Sequence, residues 1–319
     1  MSQTPARGER GTATSRTRVT LQVVLTAVVV AFAARELWRQ WSQIERTPTA
    51  WDIHPGWVAA SCALVLATYA LLIETWRRTL ATWGAQVPFV EAARVWSVSN
   101  LGKYVPGKVW QISAMAVMMQ RLGVALPVSA TAALLITIAN LAAGFAAVCL
   151  FGAATGVSSQ STYFLTLAIL ALTLSALAAA PPLASRLASV AGRVSGRRLT
   201  HAAVPRAAPW IGAVGCFVAW IGYGIAFRLF ALGVVGMTPG GMGAYIAVFT
   251  ASYLLGYLAL FAPGGIGVRE LALTTALPAM GLASPAEAAL LTVTSRLWLT
   301  VLEVLPGLYF LTLGRRGPR

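Results

Sequence analysis

Acidic residues are scarce in this chain. There are nine in 319 positions, and Asp52 is the sole aspartate. Enzymes that work through paired carboxylates or Asp-rich metal motifs have little raw material here. The two histidines, His54 and His201, lie far apart in expected loops, which argues against a histidine-based metal or catalytic site. The three cysteines, Cys62, Cys149 and Cys216, each sit alone inside an apolar run, with neither a disulfide framework nor zinc-ligand spacing. Lysine is nearly absent too: Lys103 and Lys108 are the only two, and arginine carries all the remaining positive side-chain charge. Charged residues of both signs make up 10% of the chain, against roughly 25% in a soluble domain. A soluble globular enzyme is therefore excluded.

What fills the chain instead is apolar sequence. Hydrophobic residues reach 58% and mean hydropathy is +0.73. Clear apolar spans fall near 19–38, 56–74, 125–151, 162–180, 209–235 and 286–313. Each reaches or approaches the ~20 residues that cross a bilayer as helix. The first resembles a signal peptide, with Arg7, Arg10, Arg16 and Arg18 before the run and Ala31-Phe32-Ala33 as a possible cleavage site. The apolar pattern runs on past that point, which favours an uncleaved first helix.

The net charge of +15 is clustered at the edges of these spans. A basic tail at 1–18, Arg77 and Arg78, the loop 181–208 and a basic tail at 314–319 all fit the cytoplasmic side, facing anionic lipid rather than nucleic acid. With those segments inside, the six spans alternate without conflict. Both termini are then cytoplasmic, in a multi-pass protein of the cell membrane.

Two stretches remain, 79–124 and 243–281, each cut by a Pro-Gly: Pro106-Gly107 in the first and Pro263-Gly264-Gly265 in the second. Proline removes a helix donor and glycine admits a sharp bend. Each arm of the first stretch is about 15 residues, roughly 22 Å of helix, short of a ~30 Å hydrocarbon core. The pattern predicts an all-α fold: a single transmembrane domain over 19–313, with about six full spans and two re-entrant helical hairpins. The hairpins, at about 89–121 and 243–281, enter in inverted arrangement from opposite faces, as broken helices do around a mid-membrane site. The alternative is eight or more ordinary spans, two of them proline-kinked.

GKYVPGK, residues 102–108, also fits most of a phosphate-binding loop. Val109 stands where Ser or Thr would bind magnesium, and the preceding EAARVWSVSN is not a buried strand. A nucleotide site is rejected. NLGKYVPGKVWQI, followed by FAPGGIGVREL and then SRLWLTVLE, resembles the lysylphosphatidylglycerol synthase/flippase transmembrane family over about residues 20–313. The resemblance implies lipid translocation, or service to a membrane enzyme that uses a lipid carrier. Because the chain ends at Arg319, the soluble aminoacyl-transfer domain of lysyl-lipid synthases is expected to be absent, and with it synthase activity.

The residues fit that expectation. Lys103 and Lys108 flank the first break and suit a lipid phosphate, with Asn100 and Gln111 as neutral polar neighbours. Gly264, Gly265 and Gly267 lead into a helical pattern whose N-terminus favours an anion, with Arg269 and Glu270 in its first turn. Arg296 and Glu303 share one face of the last span, about 10 Å apart. Charges inside a span require partners, which suggests Arg269–Glu303 and Arg296–Glu270 pairs, or a structural ion-pair network closing the bundle.

Glu74 with Arg77 and Arg78 reads as a helix end at the interface, and Glu91 with Arg94 as a surface pair. Arg228 stays open between substrate path, helix pairing and snorkelling. The expected function is movement of a lipid with an anionic headgroup (phospholipid, aminoacyl-phospholipid or polyprenyl-phosphate-linked) between leaflets, without enzymatic activity or cofactor. No ATP motif is visible, so passive or ion-coupled transport is expected, with Glu270 and Glu303 as the candidate proton carriers. The alternative is a non-transporting partner of a glycosyltransferase or other cell-envelope lipid enzyme. A membrane enzyme transferring a lipid-linked group would have only Glu91 and Glu270 as plausible bases.

Overall fold

A computed structural model describes residues 53–104, 109–153, 204–259, 265 and 267–313. Among these, eight α-helices form: α1 (Pro55–Ala81), α2 (Phe89–Asn100), α3 (Val109–Arg121), α4 (Leu126–Ala153), α5 (Ala207–Val235), α6 (Met242–Leu258), α7 (Val268–Ala279) and α8 (Pro285–Leu313). Four of them, α1, α4, α5 and α8, are long and apolar enough to cross a membrane. The expected spans 19–38 and 162–180, both tails and most of the loop 181–208 lie outside the described residues.

Local sequence accounts for the helix boundaries. Pro55 occupies the first turn of α1, where its missing N–H costs nothing. Gly236, at φ +70°, closes α5 in the left-handed conformation, its N–H donating to the Leu232 carbonyl. A reciprocal cap opens α8: the Ser284 N–H donates to Glu287 Oε2 at 2.7 Å, and the Glu287 N–H to Ser284 Oγ at 3.3 Å.

Helices α1 and α5 run antiparallel, with Val58, Thr68 and Thr75 of α1 against Gly233, Gly222 and Gly215 of α5. The His54 N–H donates to the Gly233 carbonyl at 2.9 Å, which ties the start of α1 to the end of α5. Small residues in such contacts let backbones approach where lipid removes the hydrophobic drive for helix association. Helix α4 packs on both α5 and α6, and α8 on α2 and α7.

Two short helix pairs are threaded into this frame. Helices α2 and α3 have 12 and 13 residues, about 18 and 20 Å, so neither arm reaches across a ~30 Å core. Gln111 Nε2 donates to Asn100 Oδ1 at 2.9 Å, bridging the two arms at their break. Helices α6 and α7 form the second pair. The Tyr245 hydroxyl donates to the Leu282 carbonyl at 3.0 Å, joining the start of α6 to the chain just past α7. At the other end of the pair, Gly256 meets Gly265 backbone to backbone.

The first pair follows the C-terminal end of α1 and the second the C-terminal end of α5. Helices α1 and α5 themselves run antiparallel. Each has its own core, one around Trp76, Leu80 and Met119, the other around Phe227, Phe249 and Leu277, and Tyr223 and Tyr253 pack against both.

Both helices end before the prolines expected to break them. Helix α2 stops at Asn100 and tightens into a 3-10 turn over Leu101–Tyr104. Helix α6 stops at Leu258. A proline at position i has no N–H for the carbonyl of residue i−4 and crowds it. Pro106 therefore withdraws the helical partner of Gly102, and Pro263 that of Ala259. Neither helix can therefore run on through its proline.

Candidate functional site

A cavity of about 210 Å³ lies where the two helix breaks meet the long helices. Its lining brings together six residues expected from the sequence: Asn100 and Gln111 beside the first break, Gly265 and Arg269 beside the second, and Arg296 and Glu303 from α8. Glu270 and Gly267 stand immediately behind them. Lys103 falls in the 3-10 turn, but its side chain lies outside the described residues. So do Pro106, Gly107, Lys108, Pro263 and Gly264 altogether.

Arg269 is 7% exposed. Its guanidinium carbon lies 4.7 Å from the Tyr253 ring centroid and 5.3 Å from that of Phe249. Desolvated cation–π contacts of this kind contribute about 2 kcal/mol. The stem of Arg269 is seated by Gly256, where an added Cβ would fall 2.9 Å from the Arg269 Cβ. Held through its face, the guanidinium keeps its in-plane N–H edge available, and its Nη2 has no hydrogen-bond partner among the described residues. Arg296 repels it, while Glu270 and Glu303 attract it. A buried donor on a charged group carries a large desolvation cost until an acceptor meets it.

Arg296 has its own partner, the expected one. Its Nη1 lies 3.3 Å from Glu270 Oε1, with the two side chains 6% and 24% exposed. The other carboxylate oxygen, Oε2, accepts from the Gly267 N–H at 2.6 Å. Gly267 has no side chain, so only this half of a capping box exists. At the N-terminus of α7, where an anion was expected to be favoured, the chain's own Glu270 meets one N–H group, that of Gly267. Elsewhere, Glu74 pairs with Arg77 and Arg78 at 2.6 and 2.7 Å, and Arg94 lies 3.9 Å from Glu91. Arg228 sits near the far end of α5, its Nε donating to Thr238 Oγ1 at 3.4 Å.

Sequence reasoning missed most of the aromatic and neutral polar wall. Trp96, Trp220, Tyr69, Tyr223, Tyr253 and Tyr257 line the cavity, as do Asn140, Thr137 and Thr300. Asn140 carried a usable signal, being the lone carboxamide within the apolar run of α4. The aromatics did not, because tyrosine and tryptophan near membrane edges are expected in any such protein. No three His, Cys, Asp or Glu side chains come together as a metal site among the described residues.

Comparison with known protein families matches residues 19–307 to the lysylphosphatidylglycerol synthase TM region. The chain belongs to that family. The match covers the family's membrane part, and together with the four long apolar helices it makes this a multi-pass membrane protein concerned with lipid. A search of curated proteins found no match. In this family member the GKYVPGK and APGGIGVRE motifs correspond to the two helix breaks, and residues flanking both breaks line the cavity.

Proposed function

We propose that the protein moves a lipid with an anionic headgroup between leaflets, holding the phosphate in the central cavity while the acyl chains stay in the bilayer. The observation that carries this reading is Arg269: a buried guanidinium, braced on its face by Tyr253 and Phe249, with an Nη2 unpartnered among the described residues, at a cavity bounded by membrane helices. Arg296 shares that cavity and repels Arg269, so a bound anion relieves both groups. In this reading the α2–α3 and α6–α7 pairs are re-entrant hairpins, entering from the cytoplasmic and outer faces respectively, with both termini cytoplasmic. Irregular backbone at membrane depth is tolerated where it lines such a cavity. Lys103 and Lys108, on either side of the first break, add positive charge for the approaching headgroup.

The test is reconstitution into liposomes with labelled phosphatidylglycerol or a polyprenyl phosphate. Translocation above that of empty vesicles, lost in Arg269→Gln, is expected. Translocation at the empty-vesicle rate across a range of anionic lipids, with lipid-linked glycosyl transfer impaired in cells lacking the protein, supports instead a non-transporting partner of an envelope enzyme.

A further inference from the structure

Arg296 lines the cavity, whereas the Glu270 that pairs with it does not. An anion that enters the cavity therefore competes with Glu270 for the same guanidinium. We infer that the Glu270–Arg296 pair is a latch closing the α6–α7 pair against α8, and that an anion in the cavity opens it by taking Arg296. This step rests on the phosphate-lipid reading above. The hold is loose: Arg296 Nη1 lies 3.3 Å from Glu270 Oε1, and that oxygen makes no hydrogen bond among the described residues. Parting the pair takes a carboxylate from a buried guanidinium, which is strongly unfavourable unless another anion replaces it. Glu270 is the partner better able to stand apart. Its side chain is 24% exposed against 6% for Arg296, and its Oε2 stays bonded to the Gly267 N–H at a helix N-terminus, where negative charge is favoured.

The surrounding contacts decide what moves. The α6–α7 pair is braced internally by the Gly256–Gly265 approach, by Arg269 stacked on Tyr253 and Phe249, and by the Tyr245 hydroxyl on the Leu282 carbonyl. Toward α8, Thr274 Oγ1 donates to Thr292 Oγ1 at 3.0 Å, about one turn beyond Glu270, and Leu277 shares a core with Leu290 and Leu291. Those contacts lie on the side of Glu270 away from the break, and they supply a pivot. On the other side of Arg296, Pro306 inside α8 withdraws the helical partner of the Leu302 carbonyl, which lets the helix bend there. The next residue, Gly307, packs on Leu101 of the 3-10 turn, with an added Cβ falling 2.9 Å from that side chain. Helix α8 thus touches the structure at both breaks, and a shift of its cavity half reaches the first pair through Leu101. A ligand moves such an equilibrium only by binding one state better. Here the difference is whether Arg296 is shared with Glu270.

The test uses the full chain in an uncharged maltoside detergent, with Cys62, Cys149 and Cys216 replaced by alanine. Spin labels replace Leu271 on α7 and Val301 on α8, both exposed, and the distance between them is read by double electron–electron resonance. The probes are phosphatidylglycerol and, separately, inorganic phosphate, with lipid retention followed by native mass spectrometry. Phosphatidylglycerol should add a second, longer-distance population. Glu270→Gln should show that population without lipid and bind phosphatidylglycerol about five-fold tighter, because the competing carboxylate is gone. Glu303→Gln removes a negative charge from the same cavity but not the latch, and should leave the distance unchanged. An unchanged distance while phosphatidylglycerol is retained overturns the latch alone, and this arm stands even where Glu270→Gln fails to fold. Weaker lipid binding by Glu270→Gln, or the same longer population in Glu303→Gln, also overturns it. Neither retention of phosphatidylglycerol nor any response to inorganic phosphate overturns the phosphate reading as well. A response to inorganic phosphate alone assigns the latch to a free anion and overturns the lipid-borne form.

Discussion

An alanine at Gly265 places a Cβ 2.7 Å from the Gly256 carbonyl oxygen and 2.8 Å from the Gly256 Cα, at a position where φ is +73°. The backbone conformation alone costs an L-residue about 1–2 kcal/mol. Overlap with backbone atoms, which cannot rotate away, adds about 1–3 kcal/mol. Gly267 supplies the control, because its φ is +85° yet an added Cβ would meet nothing within 4 Å. Gly267→Ala carries a conformational cost of its own, at φ +85° and ψ −48°, without the collision, and the change in unfolded-chain entropy is common to both. Gly265→Ala should be about 1–3 kcal/mol less stable than Gly267→Ala in an SDS titration of the solubilised protein. It should also lose more lipid translocation, since the displaced contact at Gly256 is the seat of the Arg269 stem. Equal stability and equal transport in the two variants would refute the claim that the Gly256–Gly265 contact positions Arg269.

Other expectations follow from the same contacts. Glu270→Gln leaves Arg296 buried without its carboxylate and should cost about 3 kcal/mol, with the double variant Glu270→Gln/Arg296→Met less destabilised than the sum of the singles. Gly222→Ala sets a Cβ 2.6 Å from Thr68 Oγ1 and should lower thermal stability by about 1–3 kcal/mol, with Thr68→Ala restoring most of it. If the two short helix pairs are re-entrant as proposed, cysteines placed at Phe89 and at Gly241, where they begin, should label with an impermeant thiol reagent from opposite sides of the membrane. Labelling of both from one side contradicts the inverted arrangement.

The long helices were legible because composition alone marks them: apolar runs of sufficient length, bounded by arginine, leave few alternatives to a membrane span. The two breaks were legible through Pro106 and Pro263, which no regular helix passes without losing a hydrogen bond, although the helices already end at Asn100 and Leu258. The Arg296–Glu270 pair was foreseeable from the cost of an unpaired charge in apolar surroundings. What the chain did not disclose was the use of glycine as a seat. Gly256 sits within α6 like any other small residue, and only the return of the chain at Gly265 and Arg269 gives it a role. The place of Glu270 at the start of α7 was legible, because an acidic side chain in a first helical turn suits the helix dipole or a nearby arginine, and it meets the Gly267 N–H and Arg296. The aromatic wall was hidden for a different reason: rings that line a cavity and rings that pack a core share the same spacing.

The central claim is that Arg269 holds the phosphate of a lipid in transit. The most direct measurement is the translocation rate of labelled phosphatidylglycerol in proteoliposomes, wild type against Arg269→Gln and Arg269→Lys, at matched protein content and fold. The account predicts rates well above empty vesicles for the wild type, near the empty-vesicle rate for Arg269→Gln, and intermediate for Arg269→Lys, which keeps the charge but loses the stacked, fork-shaped donor edge. Full-rate translocation by Arg269→Gln would contradict it.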